Sequence, residues 1–135
     1  MVGYSGTPLA RKLGIKPGST LLLIGAPPDY RDWVSPLPEG VSFVSTSRSG
    51  QCDLVHLFST SLADLRRSLP KARDAIKPDG AVWVSWTKKS AKIPTDVTEG
   101  GVRKLALATD LVDVKVCAVT DVWSGLKLVV RKHLR

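Results

Sequence analysis

The sequence predicts an α/β domain in which helices cover both faces of a mostly parallel sheet. Short apolar runs such as "TLLLIG" alternate along the chain with amphipathic segments such as "SLADLRRSLPKARDAIKPDG". The runs are apolar at consecutive positions, which is typical of strands that are buried on both faces. The last two runs, "VKVCAVT" and "LKLVVRK", are joined only by "DVWSG". So short a link predicts that these two strands pair antiparallel.

Length and composition set the scale of the molecule. The chain has 135 residues, of which 43% are hydrophobic and 24% charged, values that suit one globular domain over residues 1–135. The longest apolar run, residues 21–24, is far shorter than the roughly 20 residues that span a bilayer. The N-terminal residues lack the apolar core of a secretory signal, so we expect a cytoplasmic protein.

The chain carries a formal net charge of +8. Such an excess favours polyanions in general, but it concerns solubility and nonspecific attraction more than a particular partner. The basic residues are scattered over predicted helices and loops, and no recognition helix, zinc finger or RNA-binding aromatic signature is present. Nucleic-acid binding is therefore the weakest of the functions considered below, and no membrane partner is expected.

A short helix, two strands and a helical turn are predicted in the first half of the chain. Thr7 can cap the helix and Gly14 can end it. Several prolines leave room for only a turn or two of helix over residues 30–34. The helix and the two strands are expected at "TPLARKLG", "TLLLIG" and "VSFVSTS".

Four strands and two helices are predicted in the second half. Pro70 is expected to kink or restart the first of these helices, and Asp79-Gly80 to turn into the fourth strand. The second helix is expected to begin at a capping box formed by Asp96 and Glu99. The buried stripe of the first helix is predicted at Leu62, Leu65, Leu69, Ala72 and Ile76, between the strands "DLVHLF" and "AVWVSW".

Two long stretches resemble a known superfamily. "LGIKPGSTLLLIGA" is similar to the opening of class I, S-adenosylmethionine-dependent methyltransferases, and "CDLVHLFSTSLADLRRSLPKARDAIKPDGAVWVSW" to their middle region. More closely, "YSGTPLARKLGIKPG", "WVSWTKKS" and "VCAVTDVWSGLKLVVR" resemble a family of short bacterial proteins known only as a domain of unknown function. The resemblance implies a truncated doubly wound, Rossmann-like sheet of six strands in the order 2-1-3-4-6-5, with the last strand antiparallel.

The chain departs from the methyltransferase pattern at three places. The superfamily has a glycine-rich turn after its first strand, whereas Pro27 and Pro28 follow Gly25 here and remove two backbone donors. It also has a carboxylate after its second strand, whereas residues 45–48 read "STSR". One strand-helix unit is missing before the third strand. The resemblance implies S-adenosylmethionine as the cofactor. Because of these three departures, we expect the chain to have no cofactor.

A ligand site is expected where the parallel strands end, because open α/β sheets bind ligands at their carboxyl edge. The lysines, hydroxyls and tryptophan there would suit an anionic or phosphate-bearing ligand, with an indole wall for an aromatic ring. Arg48, after the second strand, is a lesser candidate. The candidates are Gly25 and Tyr30 after the first strand, Ser59, Thr60 and Ser61 after the third, Lys88, Lys89 and Ser90 after the fourth, and Trp123 and Ser124 after the fifth.

Each of these features has a simpler structural interpretation. Lys88 and Lys89 can be a solvated loop, and Asp96 and Glu99 are expected to be helix caps rather than catalytic acids. His56, inside an apolar strand, is expected to be a hydrogen-bonded core residue. Trp83 and Trp86 are expected in the core, and Cys52 and Cys117 are expected to be reduced, buried thiols.

Two classes of function compete most directly. One is a non-catalytic ligand-binding or interaction module on a methyltransferase-like fold, and we favour it because the glycine-rich turn and the carboxylate after the second strand are both absent. In addition, no Ser-His-Asp, Cys-His or metal-ligand arrangement has a defensible spacing. The alternative is an S-adenosylmethionine-dependent methyltransferase with a divergent cofactor loop. The sequence does not predict the ligand, a reaction, a pathway or an oligomeric state.

Overall fold

A computed structural model describes residues 8–135, which form four α-helices and six strands. Thr7, the predicted helix cap, lies outside the described residues. The helices are α1 (Leu9–Leu13), α2 (Tyr30–Trp33), α3 (Leu62–Ala75) and α4 (Glu99–Leu107). The strands are β1 (Thr20–Ile24), β2 (Ser42–Val44), β3 (Cys52–Phe58), β4 (Ile76–Thr87), β5 (Leu111–Ala118) and β6 (Trp123–Val130).

The six strands form one sheet in the order β2-β1-β3-β4-β6-β5. β1 pairs parallel with β2 and β3, and β3 pairs parallel with β4. β6 is antiparallel to both of its neighbours, β4 and β5. The predicted order and the antiparallel last strand are confirmed. None of the helices within residues 8–135 has the length and hydropathy needed to cross a bilayer.

One face of the sheet is covered by α3 and α4. Leu65, Leu69 and Ala72 of α3 are buried there, as the predicted stripe requires, together with Val102 and Ala106 of α4. Two further members of the stripe differ: Leu62 is only half-buried, and Ile76 is buried as the first residue of β4. Pro70 lies inside α3 and does not interrupt it, so the predicted restart at this proline is wrong.

The opposite face is covered by α1 and α2. Leu13 of α1 and Tyr30 of α2 pack there with Leu21, Phe58 and Trp83 of the sheet. The indole N–H of Trp83 donates a hydrogen bond of 2.8 Å to the carbonyl oxygen of Leu13. This bond ties the last turn of α1 to the middle of β4.

Two other expectations need correction. β4 begins at Ile76 and includes Asp79-Gly80, and the β3–β4 pairing shifts register between Cys52 and Leu54. At Gly80 a Cβ would come within 3.0 Å of the Asp53 carbonyl oxygen, so the backbone of this segment lies directly against β3. Cys52 is buried as predicted, but Cys117 is only half-buried because β5 is an edge strand.

The connection from β2 to β3 crosses the sheet without a helix. It consists only of residues 45–51, between Val44 and Cys52. Asp74 of α3 holds it in place: its carboxylate accepts a hydrogen bond from the Ser49 hydroxyl and its carbonyl oxygen one from the Gly50 N–H, both of 2.8 Å. The carboxyl edge beside β1 and β2 therefore keeps an open cavity, described below.

Candidate functional site

A cavity of about 320 Å³ lies at the carboxyl end of β4. We call it the lysine-pair cavity. Its wall brings together three of the predicted candidates, Lys88, Lys89 and Ser124. The rest of the wall comes from the end of β4, the loop before α4 and the first turn of α4: Trp86, Thr87, Thr95, Val97, Thr98 and Glu99.

The fold holds the two lysines in different ways. The backbone N–H of Lys88 donates a 2.8 Å hydrogen bond to the carbonyl oxygen of Val122, which fixes the end of β4 to the β5–β6 turn. The Lys88 side chain is half-buried, whereas Lys89 begins a short 3-10 turn and is exposed. Neither ammonium group has an ion-pair partner among residues 8–135. Both charges are therefore available to a ligand.

The first turn of α4 faces the same cavity. The Thr98 hydroxyl caps it by accepting a 3.1 Å hydrogen bond from the Gly101 N–H. Within the described part of the chain, the N–H groups of Glu99 and Gly100 have no acceptor. A Cβ at Gly100 would meet nothing within 4 Å, so the turn is open on that side. Free N–H groups and the helix dipole both favour a negative charge here.

Glu99 also lines the cavity, but its charge is compensated. Its carboxylate accepts a hydrogen bond of 2.8 Å from Arg103, which in turn binds Asp113 at 2.9 Å. These hydrogen bonds, first to Asp113 and then to Glu99, raise the pKa of Arg103, and Arg103 lowers the pKa of Asp113. The Glu99 carboxylate is thus bound to Arg103, one turn further along α4, and does not compensate the charges of the two lysines.

Thr87 supplies an unusual feature of the wall. Its side chain is only 3% exposed, and its hydroxyl is the one buried side-chain polar atom within residues 8–135 that has no hydrogen-bond partner. A buried polar group without a partner costs about 1–3 kcal/mol. Thr87 pairs with Trp123 at the start of β6, so this unpaired hydroxyl lies at the carboxyl edge of the sheet.

The predicted hydroxyls after β3 serve the local backbone instead. Ser59 Oγ donates to the Ser61 carbonyl oxygen at 2.8 Å, and Ser61 Oγ caps α3 by accepting from the Asp64 N–H at 3.2 Å. The carbonyl oxygen of Thr60 accepts a 2.9 Å bond from the Thr95 hydroxyl. The last bond connects two loops of the edge, and none of the three predicted residues, Ser59, Thr60 and Ser61, lines the lysine-pair cavity.

Asp96 caps a different helix from the one expected. Its carboxylate accepts a 2.6 Å hydrogen bond from the N–H of Leu62, the first residue of α3. The cap of α4 is Thr98. The predicted capping box of Asp96 and Glu99 is therefore wrong, although Asp96 does cap a helix and its charge favours the α3 N-terminus.

Two candidates after β1 lie away from the lysines. Tyr30 is 1% exposed, and its hydroxyl is 2.8 Å from His56 Nδ1, so it cannot reach a ligand at the surface. Gly25 has a φ of +68°, and a Cβ there would lie 2.9 Å from the carbonyl oxygen of Phe58. It lines a separate cavity of about 690 Å³ with Ser45, Thr46 and Ser47 at the ends of β1 and β2 and with Lys71 and Asp74 of α3.

His56 is the hydrogen-bonded core histidine that the sequence predicts. It is fully buried, with Nδ1 at 2.8 Å from the Tyr30 hydroxyl and Nε2 at 2.7 Å from the Ser85 hydroxyl. Its ring stacks on Phe58 with the centroids 4.3 Å apart. Burial lowers the pKa of His56 to about 3 and raises that of Tyr30 above its ordinary value. The imidazole is therefore neutral.

Trp123 is the first residue of β6, and its ring meets Phe58 edge to face at 5.0 Å. It belongs to a third cavity of about 560 Å³, which Trp33 and the carboxylates of Asp29, Asp32 and Asp121 also line. The prediction that Trp123 forms a wall of the same site as the two lysines is therefore wrong, because Trp123 does not line the lysine-pair cavity. Ser90 is exposed in the 3-10 turn, and Arg48 is exposed in the β2–β3 connection.

Sequence reasoning missed the contribution of the α4 first turn. Thr98 stands three residues before Gly101, and threonine is a good N-cap. That signal was available, but the Asp96–Glu99 spacing competed with it. Nothing in the sequence marks the hydroxyl of Thr87 as unpaired, because that depends on packing across β4 and β6.

Comparison with known proteins gives a fold but no sequence family. No protein-family model matches the chain, and no curated protein matches it in sequence. A SAM-dependent methyltransferase from Aquifex aeolicus is similar in structure, with a TM-score of 0.63 and 13% identity over 89% of this chain and 86% of that one. The DhpI protein, solved as a complex with SAH, gives a TM-score of 0.64 and 13% identity over 91% and 82%.

A third similar structure is a putative methyltransferase from Haloferax volcanii, solved in complex with the Trm112 methyltransferase activator. Its TM-score is 0.63, with 13% identity over 90% of this chain and 86% of that one. Identities this low establish the fold alone. The chain therefore has a methyltransferase-like Rossmann fold, as its resemblance to class I methyltransferases implies.

Proposed function

We propose that the chain is a ligand-binding domain on a methyltransferase-like fold and that it binds a small anion in the lysine-pair cavity. The ligand would carry a phosphate or carboxylate group. One observation carries the proposal: Lys88 and Lys89, which have no ion-pair partner in the described part of the chain, line a cavity together with the start of α4.

The chemistry of the wall supports an anion over a cation. The lining residues carry two ammonium groups and one carboxylate, that of Glu99, which Arg103 already compensates. Ammonium and N–H donors bound to an anion make stronger hydrogen bonds than neutral pairs do. No nucleophile with an adjacent base lines this cavity, so binding is the function proposed for it.

A bound anion is expected to raise the melting temperature of the wild-type protein more than that of Lys88→Ala/Lys89→Ala. A ligand that binds only the folded state stabilises it by about 2.7 kcal/mol at a hundred times its dissociation constant. Phosphate, sulfate, nucleotides and carboxylates would be screened by thermal shift at matched ionic strength.

A matched control is Lys104→Ala/Lys132→Ala, which removes the same charge from two exposed lysines outside the cavity. The control should respond to anions as the wild type does. If no anion stabilises the wild type more than the Lys88→Ala/Lys89→Ala protein, the two lysines are a solvated loop and the proposal is wrong.

The fold comparisons favour a second candidate, an S-adenosylmethionine-dependent methyltransferase. The cofactor would be sought at the carboxyl ends of β1 and β2, in the 690 Å³ cavity. The residues there do not fit it well: β2 ends in hydroxyls, and the one carboxylate of the wall, Asp74, lies on α3 and binds Ser49.

Calorimetric titration with S-adenosylmethionine and S-adenosylhomocysteine separates the two candidates. If the chain only binds anions at the lysine pair, neither compound should bind at the micromolar level, which corresponds to roughly 8 kcal/mol. Micromolar binding that persists in Lys88→Ala/Lys89→Ala would favour the methyltransferase.

A further inference from the structure

A second cavity of about 360 Å³ lies at the opposite, amino edge of the sheet. We call it the amino-edge cavity. It opens between the end of α1, the turn before β1 and the beginnings of β3 and β4. Three lysines line it, Lys16, Lys77 and Lys127. A volume of this size is in the range of small-molecule sites.

Lys127 is placed deep in this wall by its strand. On β6 it is flanked by Leu126 and Leu128, both buried against the α3–α4 face. Since side chains alternate along a strand, Lys127 points to the α1 face. Its Nζ lies only 3.6 Å from the position that a Cβ on Gly14 would occupy, so the ammonium group rests against the end of α1.

The ammonium group of Lys127 has no hydrogen-bond or ion-pair partner within residues 8–135. The residue is half-buried. Its partner in register on β5 is another lysine, Lys115, whose own ammonium donates to the Lys12 carbonyl oxygen at 3.3 Å. Burial, then Lys115 and then Lys16 lower the pKa of Lys127. A half-buried cation with two like charges beside it is destabilising unless an anion joins it.

Two carboxylates share the cavity, and neither neutralises Lys127. Asp53 is engaged elsewhere: it accepts 2.8 Å and 3.0 Å hydrogen bonds from the Thr20 N–H and from Lys77. Asp79 is exposed and has no hydrogen-bond partner among the described residues. The Asp53–Lys77 pair is thus internally balanced, which leaves Lys16, Lys127 and the exposed Asp79 as the unpaired charges of the wall, with cations in excess.

We propose that the amino-edge cavity binds a small anion between Lys127 and Lys16. The ligand class is a compact phosphate or carboxylate, because the donors are two point charges and the space is small. The backbone of Gly14 and Gly18 borders the bound group. This site is separate from the lysine-pair cavity, at the other end of the strands, and does not depend on the function proposed above.

The test is a titration of the isotope-labelled protein followed by amide NMR. Inorganic phosphate is one arm and malonate the other, each against sodium chloride at equal ionic strength, so that the two sources of negative charge are distinguished. The amides of Gly14 and Gly18 should shift in a saturable way with at least one anion. In Lys127→Met the apparent affinity at these amides should fall at least tenfold.

Gly100 and Gly101 report the other cavity in the same spectra. Their response should persist in Lys127→Met and disappear in Lys88→Ala/Lys89→Ala, so the failure of one site is visible separately from the failure of the other. Lys16→Met is the second variant, should Lys127→Met not fold, and it should weaken binding in the same way. Asp79→Asn should strengthen it.

Without added anion, Lys127→Met should melt at a higher temperature than the wild type, because it removes the repulsion with Lys115 and Lys16. The proposal is overturned if the Gly14 and Gly18 amides do not respond to either anion, or if they respond in Lys127→Met and in Lys16→Met as strongly as in the wild type.

Discussion

Lowering the pH from about 6.5 to about 4.5 is expected to reduce the free energy of unfolding by roughly 2–3 kcal/mol, and His56 is the cause. Its pKa falls from an ordinary 6.5 to about 3 in the folded protein. Between these values the unfolded chain binds a proton that the folded chain does not. This contribution to stability is therefore fully present above pH 6.5 and is lost as the pH falls toward 3, at about 1.4 kcal/mol per pH unit.

Urea unfolding at a series of pH values, followed by tryptophan fluorescence, measures this slope. The pKa values of Asp53, Asp110 and Asp113 are lowered from 3.8, so their own contributions are lost only as the pH falls through and below that value. His56→Gln should be less stable at pH 7 and should lose the slope above pH 4.5. An unchanged slope in the variant would show that another group binds the proton.

Replacing Trp83 with alanine is expected to destabilise the protein by about 4 kcal/mol. The side chain is fully buried in the cluster beneath α1, and its indole N–H donates to the Leu13 carbonyl oxygen. Gly125 on β6 makes room for the ring: a Cβ there would come within 3.1 Å of it. Removing the indole leaves a large cavity and an unpaired carbonyl, so the last turn of α1 should loosen.

The contribution of the hydrogen bond can be separated from that of volume by two phenylalanine variants. Trp83→Phe and Trp86→Phe remove the same atoms from two buried positions of β4, on opposite faces of the sheet, but the Trp86 indole makes no hydrogen bond to a described residue. Equilibrium denaturation should show Trp83→Phe to be the less stable by about 1 kcal/mol or more. Equal stabilities would mean that the bond to Leu13 contributes nothing measurable.

The strand directions were predictable because they depend on features that the sequence states directly, whereas the strand order came with the resemblance to class I methyltransferases. Consecutive apolar positions mark β1, β3 and β4 as buried on both faces, and the short link before β6 permits only an antiparallel pair. His56 was predictable for a related reason, since a polar residue inside such a strand must find partners in the core.

The details of the site depended on contacts that are distant in the sequence. Asp96 caps α3 because the loop before α4 folds back onto the start of another helix, 34 residues earlier in the chain. The capping-box spacing considers only Glu99, three residues after Asp96, and therefore assigns Asp96 to α4 instead of α3. Tyr30 failed as a surface candidate because α2 turns its ring inward to His56, and a loop sequence does not specify that direction.

The helix-free connection between β2 and β3 has a consequence for how much the chain length can vary. Val44 and Val55 both pair with Leu22, so Cys52 lies three residues upstream of that level and two strands away. The direct span is about 14 Å at the usual strand spacings. Eight peptide steps reach at most about 28 Å when extended, and the path must also rise over the side chains of β1. Deleting three residues would leave five steps, at most about 18 Å, so little slack would remain for a path that covers about 14 Å and also clears β1. Adding residues costs little, because doubling a loop adds only about 0.6 kcal/mol. This connection is thus where the sheet can acquire an extra segment without being rebuilt.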